Sequence, residues 1–467
     1  MGAMAQNLSL PNQTPLKKFF LQRGSEFLTD RAGLALVGLA LNKFARVRQT
    51  LDRLLPKRSG LSVGELVIAY VGLLCTGKSD FDAIENHRQD EFFATALGLS
   101  GVPAASTLRG QLDTQAEALM PHVDELPVAL LKQANAPITP LAGGLVPLDI
   151  DVFTLDNSRT RKDGVSRTYA GTDGFAPIAA YLGQEGWCIT LELRDGCWHS
   201  AKETGYTLER VLPRAQALTE APLLVRWDAG FHSAPLAHDL EAASQARQAA
   251  GGQALYFLVK GNPRGLDVQA LHALRLDAGA IACLPREGKR LWVWETREAP
   301  TRNQQTLPLR RIHRLIERTV DRHGQVLLLP ELAYEFWDTT LPAAFSPTDV
   351  ITLYQDHGTH EQFHSEYKTD LDLERLPSGK FATNDLILSL AMLAYNVLRL
   401  MGQSALLAHD APVRHPAKRR RLKTVIQELI TVSAKWVKHA RQTILNFGRH
   451  CPAFVVFNRL YEEWSTA

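Results

Sequence analysis

Apolar positions change their period several times along this chain, and each change marks a new kind of element. From residue 4 to about 140 they recur at helical spacing. Ser62 and Glu65 form a capping-box pair ahead of the apolar run Leu66 to Leu74, and Gly77 fits a helix stop. Val102 to Arg109 reads as a turn and then a helix capped at Ser106, which permits a helix-turn-helix with Arg109 towards DNA. A short helix in any helical domain gives the same pattern. Proline and glycine cluster over residues 137–144, and strands begin. Val146, Leu148, Ile150 and Val152 alternate with Asp149 and Asp151, so two carboxylates share one strand face. Like charges so close call for a cation or a base.

Strands are expected at Ala176 to Leu182 and Cys188 to Leu193, and a helix at Tyr206 to Ala217. Leu223 to Asp228 reads as a short buried strand ending on an acid, followed by a glycine turn and a helix capped at Ser233 with Pro235 in its first turn. After the strand Ala254 to Lys260, β-rich pieces at Arg290 to Arg297, Leu307 to Thr319 and Gln325 to Phe336 do not continue the βα alternation. They read as an insertion. Val350 to Tyr354 then resumes the interrupted fold as a strand leading to a helix that carries Glu361. That helix starts near His360, with Thr359 and Gln362 as a capping box, or earlier, so that His357, Glu361, His364 and Lys368 share one face. Asn384 is expected to cap an apolar helix from Asp385 to Met401, broken by Ser389, Asn396 and Arg399 and so a core helix, not a membrane span.

Composition narrows the class. With 467 residues and 45% hydrophobic content the chain should bury a large core divided among about three units. Met1-Gly2-Ala3 before Met4 reads as a cloning remnant. Five cysteines without C-x-x-C spacing argue against a structural zinc or a disulfide framework and suggest a reducing cytoplasm. The net charge of +3 is modest, but its distribution is not even. From Arg414 to Arg449, a basic run that includes Arg419, Arg420, Arg421 and Lys423 faces the single acid Glu428, with apolar residues interleaved. Basic helices packed on one face are expected there, presenting charge that suits a duplex with about one phosphate per 1.7 Å. A solvated charge run is the plain alternative.

The stretch from Tyr354 to Lys368 supplies the motif: Tyr354, two residues, the basic His357, three residues, Glu361, six residues, Lys368. It resembles the signature around the third acid of insertion-sequence DDE transposases, with His357 where the family has Arg. Leu148-Asp149-Ile150-Asp151, Gly164 to Tyr169 and Arg226 to Phe231 resemble most closely the family called IS thirteen-eighty. The resemblance covers nearly the whole chain. It implies an α/β RNase H-like catalytic core (141–262 and 348–403) interrupted by a β-rich insertion domain (263–347), with an N-terminal helical domain (4–140) that binds DNA ends and a basic helical C-terminal region (404–467).

The same resemblance implies that Asp151, Asp228 and Glu361 are catalytic acids holding Mg2+, or Mn2+ in its place, two ions per site. Asp149 stands as the alternative first acid, because the family's Asp-x-Thr finds Thr154 one place late. Tyr354, His357 and Lys368 would hold the DNA backbone, and Arg159, Arg161, Lys162 and Arg167 could track phosphate or merely form an exposed loop. His199 and Ser200 occupy a polar pair that the family tends to keep, or are structural. Trp337, and less so Trp292, could stack on an extruded base or sit in a core. Implied with these are binding of terminal inverted repeats, cleavage through a hairpin on the excised end, strand transfer into target DNA, and a homodimer that pairs two ends; no membrane is involved. A nuclease of the same fold without strand transfer, and a DNA-binding descendant that no longer cuts, are the competing readings.

Overall fold

The computed structural model describes residues 20–57, 59–275, 279–321, 323–406, 419–439 and 442–466; the side chains of residues 357, 359 and 360 are outside that description. After the short strand Leu28–Thr29 (β1), the chain forms helices Leu34–Leu39 (α1), Val47–Leu54 (α2), Val63–Cys75 (α3), Glu91–Leu97 (α4), Ala105–Val123 (α5) and Leu126–Gln133 (α6). The expected capping box starts α3: the Ser62 hydroxyl accepts from the Glu65 N–H at 3.2 Å and the Glu65 carboxylate from the Ser62 N–H at 2.9 Å. Every residue of α3 is buried. Ser106 does not cap α5. That helix begins at Ala105, whose N–H donates to the Glu85 carboxylate at 2.6 Å, so a distant acid supplies the cap. Arg109 lies 5.4 Å over the Phe81 ring and 3.5 Å from Asp82.

Next come strands Val146–Val152 (β2), Leu155–Asp156 (β3), Ser166–Arg167 (β4), Asp173–Phe175 (β5), Ile178–Leu182 (β6) and Trp187–Glu192 (β7), then helix Thr204–Leu218 (α7) and strand Leu223–Trp227 (β8). Helix Ala234–Ala249 (α8), capped by Ser233 as expected, leads to strand Leu255–Lys260 (β9) and helix Val268–Leu274 (α9). Strands Ile281–Arg286 (β10), Lys289–Glu298 (β11), Thr301–Arg302 (β12), Gln305–Thr306 (β13), Leu309–Val320 (β14) and Val326–Thr339 (β15) follow. One nine-stranded sheet runs β10-β11-β14-β15-β9-β8-β2-β6-β7, with β2, β8 and β9 mutually parallel and the remaining neighbours antiparallel. The strands of the insertion thus extend the central sheet, through β15 against β9.

Val350 to Tyr354 is helix, not strand. Ser346 and Asp349 form a reciprocal capping box and Pro347 sits in the first turn, so helix Pro347–Gln355 (α10) is fixed from its start. A 3-10 turn, Asp356–Thr359, leads to helix His360–Ser365 (α11), which widens into a π turn at Glu366–Asp370. The apolar helix runs Phe381–Leu406 (α12), longer than expected at both ends. Asn384 does not cap it; its buried side chain bonds the N–H and C=O of Ser378 at 3.0 and 2.9 Å. By length and composition α12 could cross a membrane, but it is packed inside the fold against α3, α5 and β7.

The C-terminal region is only partly helical. Helix Leu422–Val425 (α13) and a π turn give way to a hairpin, Ala434–His439 (β16) with Gln442–Phe447 (β17), before helix Phe454–Thr466 (α14). Val432, Ala434 and Trp436 are buried while Thr431, Ser433 and Lys435 are exposed, a period of two that suits a strand. The edge of β1 completes it: β16 lies between β1 and β17, and the Trp436 N–H donates to the Phe27 carbonyl at 2.8 Å. Arg414 and Lys418 of the basic run lie outside the described residues.

Candidate active-site cleft

Parallel pairing of β2 with β8 sets Asp149 opposite Arg226. Their side chains meet in a buried fork, Nε to Oδ1 at 2.6 Å and Nη2 to Oδ2 at 2.7 Å, while Nη1 donates to the Leu353 carbonyl of α10 at 2.7 Å. Here is the base that the Asp149 and Asp151 pair called for, and it engages Asp149 alone. One strand repeat further on, the same pleat brings Asp151 and Asp228 to the carboxyl ends of adjacent parallel strands. Asp151 Oδ1 accepts from the Val152 N–H at 2.7 Å, and its Oδ2 lies 3.9 Å from Nδ1 of His364, which stacks on Phe153 at 4.4 Å. Asp228 accepts from the Gly230 N–H at 2.9 Å and so caps the turn Ala229–Phe231. A Cβ on Gly230 would stand 2.9 Å from Ser200 Oγ and 3.0 Å from Asp228 Oδ1, so only glycine lets the acid and the Ser200 loop close together.

A cleft of about 950 Å3 opens over these strand ends. Asp151, Asp228, Glu361, Tyr354 and Lys368 all line it, as do His199, Ser200 and His364. Glu361 is exposed on α11, and Lys368 stands in the π turn with Nζ 6.0 Å from the centre of the Phe153 ring. Tyr354 packs at 5.8 Å against Trp337. Its phenol is pushed up by burial and then by Asp228 and Asp151. Tyr169 leaves most of its ring in solvent while its hydroxyl donates to the Val152 carbonyl; burial of that end, followed by Asp151 and Asp228, raises it to about 12. Among the described residues no three His, Cys, Asp or Glu side chains come close enough to enclose a metal ion. The donor set is nevertheless of hard carboxylate oxygens, which suits a divalent cation of the Mg2+ kind.

The other residues singled out in the sequence divide. Arg159, Arg161 and Arg167 are exposed, Arg167 3.4 Å from Asp173. Lys162 turns inward instead, donating to Asn157 Oδ1 at 2.9 Å and to the Leu376 carbonyl, because its loop packs on the segment before α12. Trp337 is 1% exposed, among Leu224, Leu258, Ile312 and Val350, with the Arg314 guanidinium 5.0 Å over its ring; stacking on a base would require it to leave that packing. Trp292 is buried as well. The side chain of His357 lies outside the described residues.

Arg419, Arg420 and Arg421 form ion pairs within the fold. Arg419 donates to Gln362 at 2.7 Å and lies 3.5 Å from Glu366; Arg420 meets Glu428 at 2.8 Å; Arg421 engages Asp370 at 2.9 Å together with Ser365 and Thr369. Buried Glu366 and Asp370, on the helix that carries Glu361, also accept the N–H groups of Leu422 and Lys423 at 3.1 and 3.0 Å. Arg419 and Arg421 therefore brace the Glu361 helix, which their one-sided sign in the sequence did not suggest. Lys423 keeps an exposed side chain. Sequence reasoning also missed Arg226 and the wall that β9, β14 and β15 contribute through Lys260, Arg314 and Glu335. Arg226 had a signal, two residues before Asp228 on its face. The wall had none, since its residues meet only through strand pairing.

Two carboxylates from parallel strand ends and a third from a following helix, facing one open cleft, define an α/β protein with an acidic site at the carboxyl ends of its central strands. Residues 24–248 and 303–466, well over half of the chain, match the family described as transposase DDE domain group 1, and the chain belongs to that family. The match leaves out 249–302, which holds β9 to β12. No curated protein matches the chain. A cryo-EM structure of a piggyBac transposase synaptic complex with hairpin DNA is similar over 93% of this chain and 81% of that one, at 11% identity and a TM-score of 0.35, too loose a likeness to bear on the fold.

Proposed function

We propose that this transposase is a cut-and-paste enzyme resembling the IS thirteen-eighty family, with Asp151, Asp228 and Glu361 as its catalytic acids in an RNase H-like core. The observation that carries the reading is the meeting of those three acids with Tyr354 and Lys368 in one cleft. Mg2+ or Mn2+, as two ions held by the three carboxylates, would activate a water or a 3′-hydroxyl and stabilise the leaving oxygen at phosphorus. The chain's own groups do the rest. Lys368 supplies a cation to the scissile strand's backbone, and Tyr354, its phenol kept protonated by burial beside Asp228 and Asp151, remains a hydrogen-bond donor at neutral pH. Asp149 is the structural partner of Arg226 in this reading and takes no part in the chemistry. The substrate is double-stranded DNA carrying the terminal inverted repeats and the target, the end is released through a hairpin, a homodimer pairs two ends, and the work is done in the cytoplasm.

The test is cleavage and joining of a labelled duplex bearing the element's own end, with Mg2+ or Mn2+. Intact protein should give hairpin and strand-transfer products, and Asp151→Asn, Asp228→Asn and Glu361→Gln should each lose them while still binding. Cleavage without joining would replace this reading with that of a nuclease. Binding without cleavage under either metal would leave a silent DNA-binding descendant.

A further inference from the structure

The cleft has a second wall, and its charge is arranged differently from that of the acids. Carrying the β8 to β9 pairing one step beyond Trp227 and Val259 puts Lys260 beside Asp228, on the next strand over. Lys260 pairs with Trp337 of β15, and Arg314 of β14 with Glu335, so all four share one sheet face. Glu335 Oε1 accepts from Lys260 Nζ at 2.8 Å and Oε2 from Arg314 Nε at 2.9 Å. One carboxylate thus holds two cations, one per oxygen, at the rim of the cleft. Their side chains keep 32%, 15% and 22% exposure for Lys260, Arg314 and Glu335, so the cluster is accessible without being loose.

The pattern repeats along the sheet. Four residues outward on β14, Arg318 lies opposite Lys289 and opposite Glu331, whose carboxylate is 3.3 Å away. Four residues of strand span about 14 Å, which equals four base-pair rises of a duplex at about 3.4 Å each. The reverse face is closed, with Trp292, Trp294, Leu315, Tyr334 and Phe336 packed beneath α9. The cation-bearing face is covered by α10 over Ile312 and Trp337 and opens at Lys260 and Arg314, beside the acids.

We infer that Lys260 and Arg314 form a phosphodiester-binding site at the exit of the acidic cleft, and that Glu335 occupies it until a DNA phosphate displaces the carboxylate. This rests on the reading of the cleft as a DNA site. A phosphate suits the place because its oxygens can accept from the same two donors, with the guanidinium's fork presented as it is to Glu335. Displacement costs the protein the three charge-assisted bonds that Lys260 and Arg314 make to Glu335 and returns the same donors to the DNA, so the site should set salt dependence and not sequence preference.

The test is anisotropy of the full-length protein with a labelled end duplex and with a scrambled duplex, across a range of KCl and without divalent cations. Lys260→Ala and Arg314→Ala should each lower the slope of log affinity against log salt by about 0.9 on both duplexes, and Arg314→Lys should keep it. Glu335→Gln should tighten binding several-fold on both. Slopes equal to that of the intact protein in both alanine variants, with binding and thermal unfolding preserved, would overturn the site while leaving the DNA reading standing. Failure of the intact protein to bind either duplex would overturn that reading too.

Discussion

Asp149 and Asp151 lie two residues apart on one strand face, and Arg226 separates their tasks. Removing one partner of a buried ion pair leaves the other charged and unmatched, at about 3–5 kcal/mol. Asp149→Asn should therefore lower unfolding stability by an amount of that order, measured in denaturant. Asp151→Asn should leave stability within about 1 kcal/mol and abolish cleavage. Equal stability loss in both would contradict the division. The sequence made the two aspartates legible as a pair but not their separation, because Arg226 reaches Asp149 only through the parallel register of β2 and β8. Another acid makes a pH prediction. Asp385 at the start of α12 accepts from the Leu193 N–H at 2.8 Å, and burial pushes its carboxyl up to about 7. A carboxyl whose folded pKa lies above the unfolded value of 3.8 binds more protons folded than unfolded between the two, so its contribution falls as pH rises from about 4 to about 7 and is level beyond. Asp385→Asn keeps the acceptor oxygen and removes the titration. It should match the intact protein at pH 4 and exceed it at pH 8 by on the order of 4 kcal/mol, read from denaturant midpoints.

At the scale of elements, the segment from α10 to the π turn carries most of the motif, and its support comes from the C-terminal region. The spacing from Tyr354 to Glu361 to Lys368 picked out residues that line one cleft. Their geometry was not legible: a single helix was expected to carry Glu361, His364 and Lys368, whereas a 3-10 turn precedes α11 and a π turn follows it, each altering the angular step. The basic tail misled for a related reason, since acids that neutralise it, Glu366 and Asp370, lie about fifty residues earlier in the chain. Arg421 spends its guanidinium on Asp370, Ser365 and Thr369. Arg421→Ala should lower stability by roughly 1–2 kcal/mol and leave the salt slope of DNA binding unchanged. A slope reduced by about one would return Arg421 to the phosphate contacts.

Across the whole molecule, distant parts of the chain complete one another's cores and edges. Trp436 of β16 packs on Phe27 and Phe92, and Trp464 of α14 on Phe44, so the end of the chain belongs to the core of its beginning. The sheet, by contrast, ends in the open. All six residues of β10 are exposed, and Val326, Leu328 and Leu329 of β15 are 81%, 100% and 78% exposed at the far tip from the cleft. β9 pairs β15 only at Trp337 to Thr339, so among the described residues the outer half of β15 is an edge beside its own solvent-facing leucines, a template for association with another chain. Nothing in the fold rests on those two leucines, because their contact surface faces water. Leu328→Lys with Leu329→Lys should leave unfolding stability within about 0.5 kcal/mol and lower the apparent mass seen by light scattering as protein concentration rises. A large loss of stability would mean that this tip is covered in solution, and unchanged scattering would place any self-association elsewhere on the surface.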